Sequence, residues 1–333
     1  VNARTAGLLG PLSAALALLL AAMVVGVLVG SGRVPLGAAL SGPGLERTIL
    51  VDVRAPRVLL AALAGGGLAV VGGAFQALLR NPLAEPYVLG VSGGAAVGAV
   101  SVVALGIGAS TLAGAALLPL GALAGGVAAT LLVYAVARRA SGGATGASIL
   151  LAGVMVNSIA AALITVAKLL VPPSRAQHML RWLVGFIELP SPAALAVLGG
   201  WVIAGGLVLG RDAGRLNLLA LGEESAAALG VEVPRLERRV FFAASAIVGA
   251  VVSLTGLIGF VGLVVPHALR RLWGPDHRRL LPLSFVVGAA LLVLCDAASR
   301  ATLELFGTQL PVGAITALVG GPVFLMMLAR TSE

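Results

Sequence analysis

Between Arg54 and Gly98 the chain reads RAPRVLLAALAGGGLAVVGGAFQALLRNPLAEPYVLGVSGGAAVG. The apolar run from Val58 to Leu79, interrupted only by glycines and Gln76, is long enough to cross a hydrocarbon core of about 30 Å. Directly after it, Arg80-Asn81-Pro82-Leu83-Ala84-Glu85-Pro86 sets two prolines and three strongly polar groups at the end of a span. Backbone of that kind is tolerated beside a membrane only where it is capped, packed in protein or open to water. The chain must fold so as to satisfy this segment, or turn there as a plain loop between helices.

Composition extends the membrane reading to the whole chain. It is 59% hydrophobic and 11% charged, with 46 glycines, and its mean hydropathy is +1.08. A soluble fold of 333 residues needs more polar surface, so the expectation is an all-α polytopic membrane protein. Glycine and alanine let such helices approach closely. The single cysteine, Cys295, excludes an intramolecular disulfide and a multi-cysteine metal site, and reads as core packing. The net charge of +9 suggests nucleic acid in principle. The arginines, however, sit in short loops between apolar runs, so membrane orientation explains them better and no nucleic-acid partner is expected.

About ten spans are expected, near 7–30, 57–79, 88–108, 112–137, 146–170, 191–210, 236–255, 258–272, 280–299 and 312–329. The first is too long for the apolar part of a signal peptide and reads as a retained helix. The short run at 258–272 carries Pro266 and His267 and reads as a broken or re-entrant element. With a cytoplasmic N-terminus the inner face carries 14 basic residues and the outer face 8, which favours both termini inside. The outer set is large for that rule, so Arg54, Arg57 and Arg300 call for an explanation of their own.

The longest hydrophilic interval on the inner side, 211–239, reads RDAGRLNLLALGEESAAALGVEVPRLERR. Leu218 to Leu229 has helical spacing, with Gly222 and Gly230 punctuating two short helices, and Pro234 opens the next span. A helix pair of this kind suits a groove on a soluble partner. The alternative is an amphipathic loop on the bilayer, which Glu223, Glu224 and Glu232 weaken because an anionic leaflet repels them.

Polar groups inside the spans are few. Gln76, Asn157, Ser158, Thr165 and Thr255 either line a pathway or tie helices together, the latter being the commoner role. His267 lacks a second histidine at ligand spacing, so a structural histidine capping a broken helix is favoured and no metal or cofactor is expected. Paired carboxylates and nucleophile–histidine arrangements are lacking, so no enzymatic activity is expected of this chain. Its one lysine, Lys168, follows Ala167, which excludes a G-x-x-x-x-G-K-[ST] phosphate loop. Energy from ATP, if used, comes from another polypeptide.

The segments RAPR (54–57), NPLAEP (81–86), LGVSGGA (89–95), ALG (228–230), GFVGLVVPHALR (259–270) and LPVGAITALVGGPVF (310–324) come in the order of the FecCD-type permeases, which this chain resembles from about residue 45 to its end. Those are membrane subunits of ABC importers for ferric siderophores, haem and vitamin B12. The resemblance implies the type II ABC importer permease fold, a single transmembrane domain over residues 1–333, and multi-pass insertion in the bacterial cytoplasmic (inner) membrane. It implies a homodimer, or a heterodimer with a close relative, joined by two cytoplasmic ATPase subunits and a periplasmic or lipid-anchored substrate-binding protein. By the same resemblance 212–234 is the coupling region, with Leu221, Gly222, Glu223, Ala227, Leu229 and Gly230 seated in a cleft of the ATPase. Arg54, Arg57 and Arg300 match positions that dock on glutamates of the binding protein, against the alternatives of headgroup anchoring or internal pairing with Asp52, Asp296 or Glu304.

Ala55 departs from the leucine common in relatives, and the outer loop 171–190 is not diagnostic of a substrate. Small apolar pathway walls favour a large chelate or corrinoid over a hydrated ion, with haem or a molybdate-type oxyanion as alternatives. An ion-coupled secondary transporter needs an intramembrane carboxylate relay, for which Asp296 is the only plausible acid.

Overall fold

The computed structural model of the chain describes residues 2–30, 44–107, 112–140 and 146–329; Arg33 and Arg330 of the charge count lie outside them. All regular structure among the described residues is helical. The order is α1 (Asn2–Leu28), α2 (Leu45–Leu78), α3 (Val91–Ala104), α4 (Leu112–Ala140), α5 (Gly146–Leu170), α6 (Pro173–Leu183), α7 (Pro192–Leu219), α8 (Glu223–Ala228), α9 (Val233–Thr255), α10 (Val261–Trp273), α11 (His277–Phe306) and α12 (Val312–Ala329). Of these α1, α2, α4, α5, α7, α9 and α11 are long and apolar enough to cross a membrane, and α3 and α12 are shorter apolar helices.

Each of the ten expected spans falls on a helix, but several boundaries move. Helix α2 begins at Leu45, not near 57, through a π-helical turn at Ile49–Arg54 that ends two residues before Pro56. The wider turn accommodates the N–H that proline lacks. Helix α7 continues past Arg211 to Leu219, so the polar interval is shorter than its charges suggest. The loop 171–190 holds the amphipathic helix α6.

Burial separates a centre from a periphery. The apolar windows of α2, α9 and α11 are 89%, 67% and 72% buried, against 17–28% for α1, α4, α5 and α7. Helix α2 reaches the centre because it carries no bulk where its neighbours cross. A Cβ on Gly72 would lie 1.8 Å from the carbonyl oxygen of Gly262, at the start of α10. Gly98 of α3 meets the carbonyl of Gly121 of α4 in the same way, at 2.0 Å. Glycine at such points lets two backbones touch.

Two apolar helices are too short to span a hydrocarbon core. With 14 and 13 residues, α3 and α10 are each about 20 Å long, short of a full crossing. Each follows an irregular segment, 79–90 before α3 and 256–260 before α10. The runs α2–α3–α4 and α9–α10–α11 thus share an order: a long helix, an irregular segment, a short helix and a long helix. The expected broken element at 258–272 is α10. His267 lies within it, its ring 6.0 Å from that of Phe324, so it does not cap the break; Phe260 holds the N-cap position.

Candidate functional site

At one end of the bundle the chain leaves α7, makes α8, and returns into α9. Leu221 and Gly222 N–H groups close the end of α7 on the carbonyls of Leu218 and Leu219, each at 3.0 Å. Gly222 then takes φ +115° and Gly230 takes φ +84°, both in the region that disfavours side chains. Between them lies one helix of six residues instead of the two expected, because Leu218 and Leu219 belong to α7. Ala226 is fully buried and anchors this helix, while Leu221 and Leu229 are 66% and 60% exposed. Ala227 is exposed beside them. An anchored short helix flanked by two outward leucines is an unfilled apolar knob.

Ion pairs and hydrogen bonds brace the base of this knob among five long helices, α2, α5, α7, α9 and α11. Glu223, in the first turn of α8, pairs with Arg80 at the end of α2, whose own φ is +49°. Asp212 of α7 is 2% exposed. It accepts from both Nε and Nη2 of Arg239 on α9 at 3.0 Å, and from Arg215. Asn217 receives the His277 N–H at 2.8 Å and donates to Asp276 Oδ1 at 2.6 Å, tying α7 to the start of α11. Burial alone would raise the Asp276 carboxyl. The Asn217 amide, the Arg278 N–H and the Arg278 and Arg279 charges outweigh it and hold that group below the usual carboxylate range. Glu237 of α9 accepts the N–H of Gly146, the first residue of α5, at 3.2 Å. None of these braces is visible as a motif; of their residues, Arg80, abutting NPLAEP, and Glu223, in the expected coupling region, stood out in the sequence.

Midway through the bundle the two irregular segments satisfy each other. Glu85 Oε1 accepts the N–H of Phe260 at 2.7 Å, and the Tyr87 hydroxyl oxygen accepts the N–H of Ile258 at 2.6 Å. Asn157 of α5 donates to the Tyr87 carbonyl at 2.7 Å. Phe260 sits at φ +70°, a strained conformation for a side-chain-bearing residue, and the Glu85 carboxylate holds it there. Gln76 donates to the carbonyl of Leu263 at 3.2 Å and accepts from Arg270 at 3.0 Å. At 3% exposure it is an internal tie and lines no surface, a correction to its candidacy as a pathway residue. Asn157 is half-buried in its own tie, whereas Ser158 and Thr165 return their hydroxyls to Val154 and Ala161 on the exposed face of α5.

At the opposite end, which carries α6, three arginines converge. Asp296 is fully buried and takes Arg57 through Nε and Nη2, at 3.1 and 2.8 Å, and Arg300 through Nε at 3.0 Å. Arg300 also donates to the carbonyls of Gly26 and Val29, and Arg54 to those of Val27 and Leu28. The cations thus cap the end of α1, where carbonyls lack helical partners. Arg54 and Arg300 are each 5% exposed, so they face inward and not onto a rim; the Arg57 side chain keeps 16%. Asp52 and Glu304, the other partners considered, are exposed. Asp296 is thus a fully buried partner of two guanidiniums with no surface open to a pathway, which removes the main support for ion-coupled transport.

Comparison with known proteins places this geometry. The chain is 36% identical over 321 residues to the uncharacterized ABC transporter permease protein YvrB of Bacillus subtilis, covering 92% of this chain and 90% of that one. It is 41% identical over 298 residues to the cobalamin import system permease protein BtuC of Halobacterium salinarum, covering 86% and 74%. A solved inward-facing conformation of a metal-chelate type ABC transporter superposes with a TM-score of 0.83 at 29% identity, covering 96% of this chain and 98% of that one. Residues 17–330 match the FecCD transport family, and the chain, an ABC transporter permease with the type II importer fold, belongs to it.

Proposed function

We propose that this chain is the membrane-spanning subunit of an ATP-driven importer that moves a corrinoid or an iron chelate by alternating access. The observation that carries the reading is the knob at α8: an anchored six-residue helix flanked by two outward leucines and braced to α2, α7, α9 and α11. Motion of a groove around that knob tilts the attached helices as rigid bodies. The segment 212–234 is then the coupling region within one transmembrane domain, with Leu221, Gly222, Glu223, Ala227, Leu229 and Gly230 at the ATPase contact. The ATPase is a separate pair of cytoplasmic subunits, the α8 end faces the cytoplasm, and two copies of the chain form the importer in the inner membrane.

The α6 end then faces an external binding protein. Of the three arginines only Arg57 keeps surface for that contact, while Arg54 and Arg300 fix the shape of the rim. Ser158 and Thr165, on the uncovered face of α5, are the pathway-lining candidates. The cargo follows from the cobalamin and metal-chelate relatives. A haem permease is the second reading, favoured by 35% identity over 285 residues to the hemin transport system permease protein HmuU of Yersinia pestis.

The test is uptake into proteoliposomes carrying the permease, its ATPase and its binding protein, with labelled cobalamin, ferric siderophore and haem. ATP-dependent accumulation of one of the first two is the expected result. Accumulation without any ATPase subunit defeats the reading.

A further inference from the structure

We propose that the groove between α4 and α9, opening beneath α6, holds one acyl chain of a zwitterionic phospholipid whose headgroup rests at Arg181. Two cavities run end to end there. The larger, about 1110 Å³, lies between α4, α6 and the start of α7; the smaller, about 140 Å³, continues between α4 and α9; Leu123 lines both. Along α4 the lining extends from Ala116 to Leu131. At 1.5 Å per residue that is about 22 Å, somewhat more than one leaflet of a core about 30 Å thick.

The lower part is open over Gly249: a Cβ there would meet only Leu123, at 3.6 Å. The lips are apolar and uncovered, with Leu120, Val127 and Leu131 each more than half exposed. The mouth has a different chemistry. Arg181 lies over the Phe186 ring, 5.1 Å from its centroid, and Glu188 and Trp182 line the same chamber. Both signs of charge beside an indole match the headgroup zone of a bilayer. A helix about 10 Å across, from a second copy, is too wide for the lower chamber. A hydrated ion finds two hydroxyls there, of which Thr130 already bonds to the Gly126 carbonyl. A single hydrocarbon chain fits both chambers. The inference rests on the membrane location of the chain, not on its cargo.

Trp182 and Trp201 line the upper chamber and serve as the reporters. The permease with Trp273→Phe keeps only these two of its three tryptophans. Reconstituted in dibrominated phosphatidylcholine and then washed in mild detergent, this protein should retain at least twofold quenching of their emission. Gly249→Leu and Ala246→Leu, which fill the lower chamber, should recover full emission on the same wash, and Arg181→Ala should retain several-fold less lipid phosphorus. Full recovery in the parent means passing contact with bulk lipid and overturns the proposal, whether or not the filled variants fold. Quenching that persists equally in the filled variants overturns it too. So does an absence of quenching before the wash, which would mean that a second copy covers this face. Equal phosphorus in Arg181→Ala overturns the headgroup placement.

Discussion

Arg80 and Glu223 form an ion pair that joins the turn just past the end of α2, the most buried of the long helices, to the first turn of α8. Both side chains are more than a third exposed, so the pair contributes at most about 1 kcal/mol to stability. Its value lies in direction: a push on α8 reaches the centre of the bundle through it. Glu223→Arg should therefore leave thermal stability almost unchanged while lowering transport per ATP hydrolysed, and Arg80→Glu combined with Glu223→Arg should restore much of the coupling. Uptake and hydrolysis measured in the same proteoliposomes check this. Equal coupling in all three proteins would mean that the pair transmits nothing.

The cluster around Asp296 makes the opposite prediction, a structural effect. Removing one partner from a buried pair costs about 3–5 kcal/mol, because the remaining charge is left in low dielectric. Asp296→Asn strands two cations and should be the most damaging change, followed by Arg300→Gln, which also uncaps α1. Arg57→Gln should be mildest, since Arg57 is partly exposed and Arg300 still holds the carboxylate. Cys295, the single cysteine, is buried one residue away, so a thiol-reactive dye reports unfolding at this site. A melt in which Arg57→Gln loses more than Asp296→Asn would reverse the assignment.

Glu85 supplies a carboxylate oxygen to a backbone N–H inside the bundle, next to a residue at positive φ. Glu85→Gln keeps an acceptor and should be tolerated. Glu85→Ala leaves the Phe260 N–H orphaned, costing about 1–3 kcal/mol, and releases the strained backbone. Hydrogen exchange at 256–260 should accelerate in Glu85→Ala and stay slow in Glu85→Gln. Identical exchange in the two variants would show that some other contact holds the break.

What was legible in the sequence was whatever has a local period or a local penalty. The spans appear as apolar runs, and NPLAEP as a break that needs satisfying. The short helix between Gly222 and Gly230 announces itself through the two glycines, which the structure puts at positive φ. What satisfies the break was illegible, since Phe260 and Ile258 are remote in sequence and offer only backbone N–H groups. Distance in the chain also hid the fate of Arg54 and Arg300. An arginine at a span end reads as a surface cation, and only the placement of α1 shows that its carbonyls take both. Helix α6 escaped notice because it is short and amphipathic, with charges that resemble a loop.

Leu221 and Leu229 test the coupling reading most directly. Each stands more than half exposed beside a helix anchored by Ala226, and a change there removes no contact within the chain's core. Leu221→Asp should alter stability by no more than about 0.5 kcal/mol, as for other surface substitutions. In a groove of the ATPase the same leucine is worth about 1.5–3 kcal/mol, so affinity should fall at least about tenfold. Leu229→Asp should behave alike, whereas Glu224→Gln, exposed on the same helix but charged and outward, should change little. Co-purification with the ATPase subunit, beside a thermal melt of the permease alone, separates the two effects. Undiminished co-purification of both leucine variants would place the ATPase contact elsewhere on the protein.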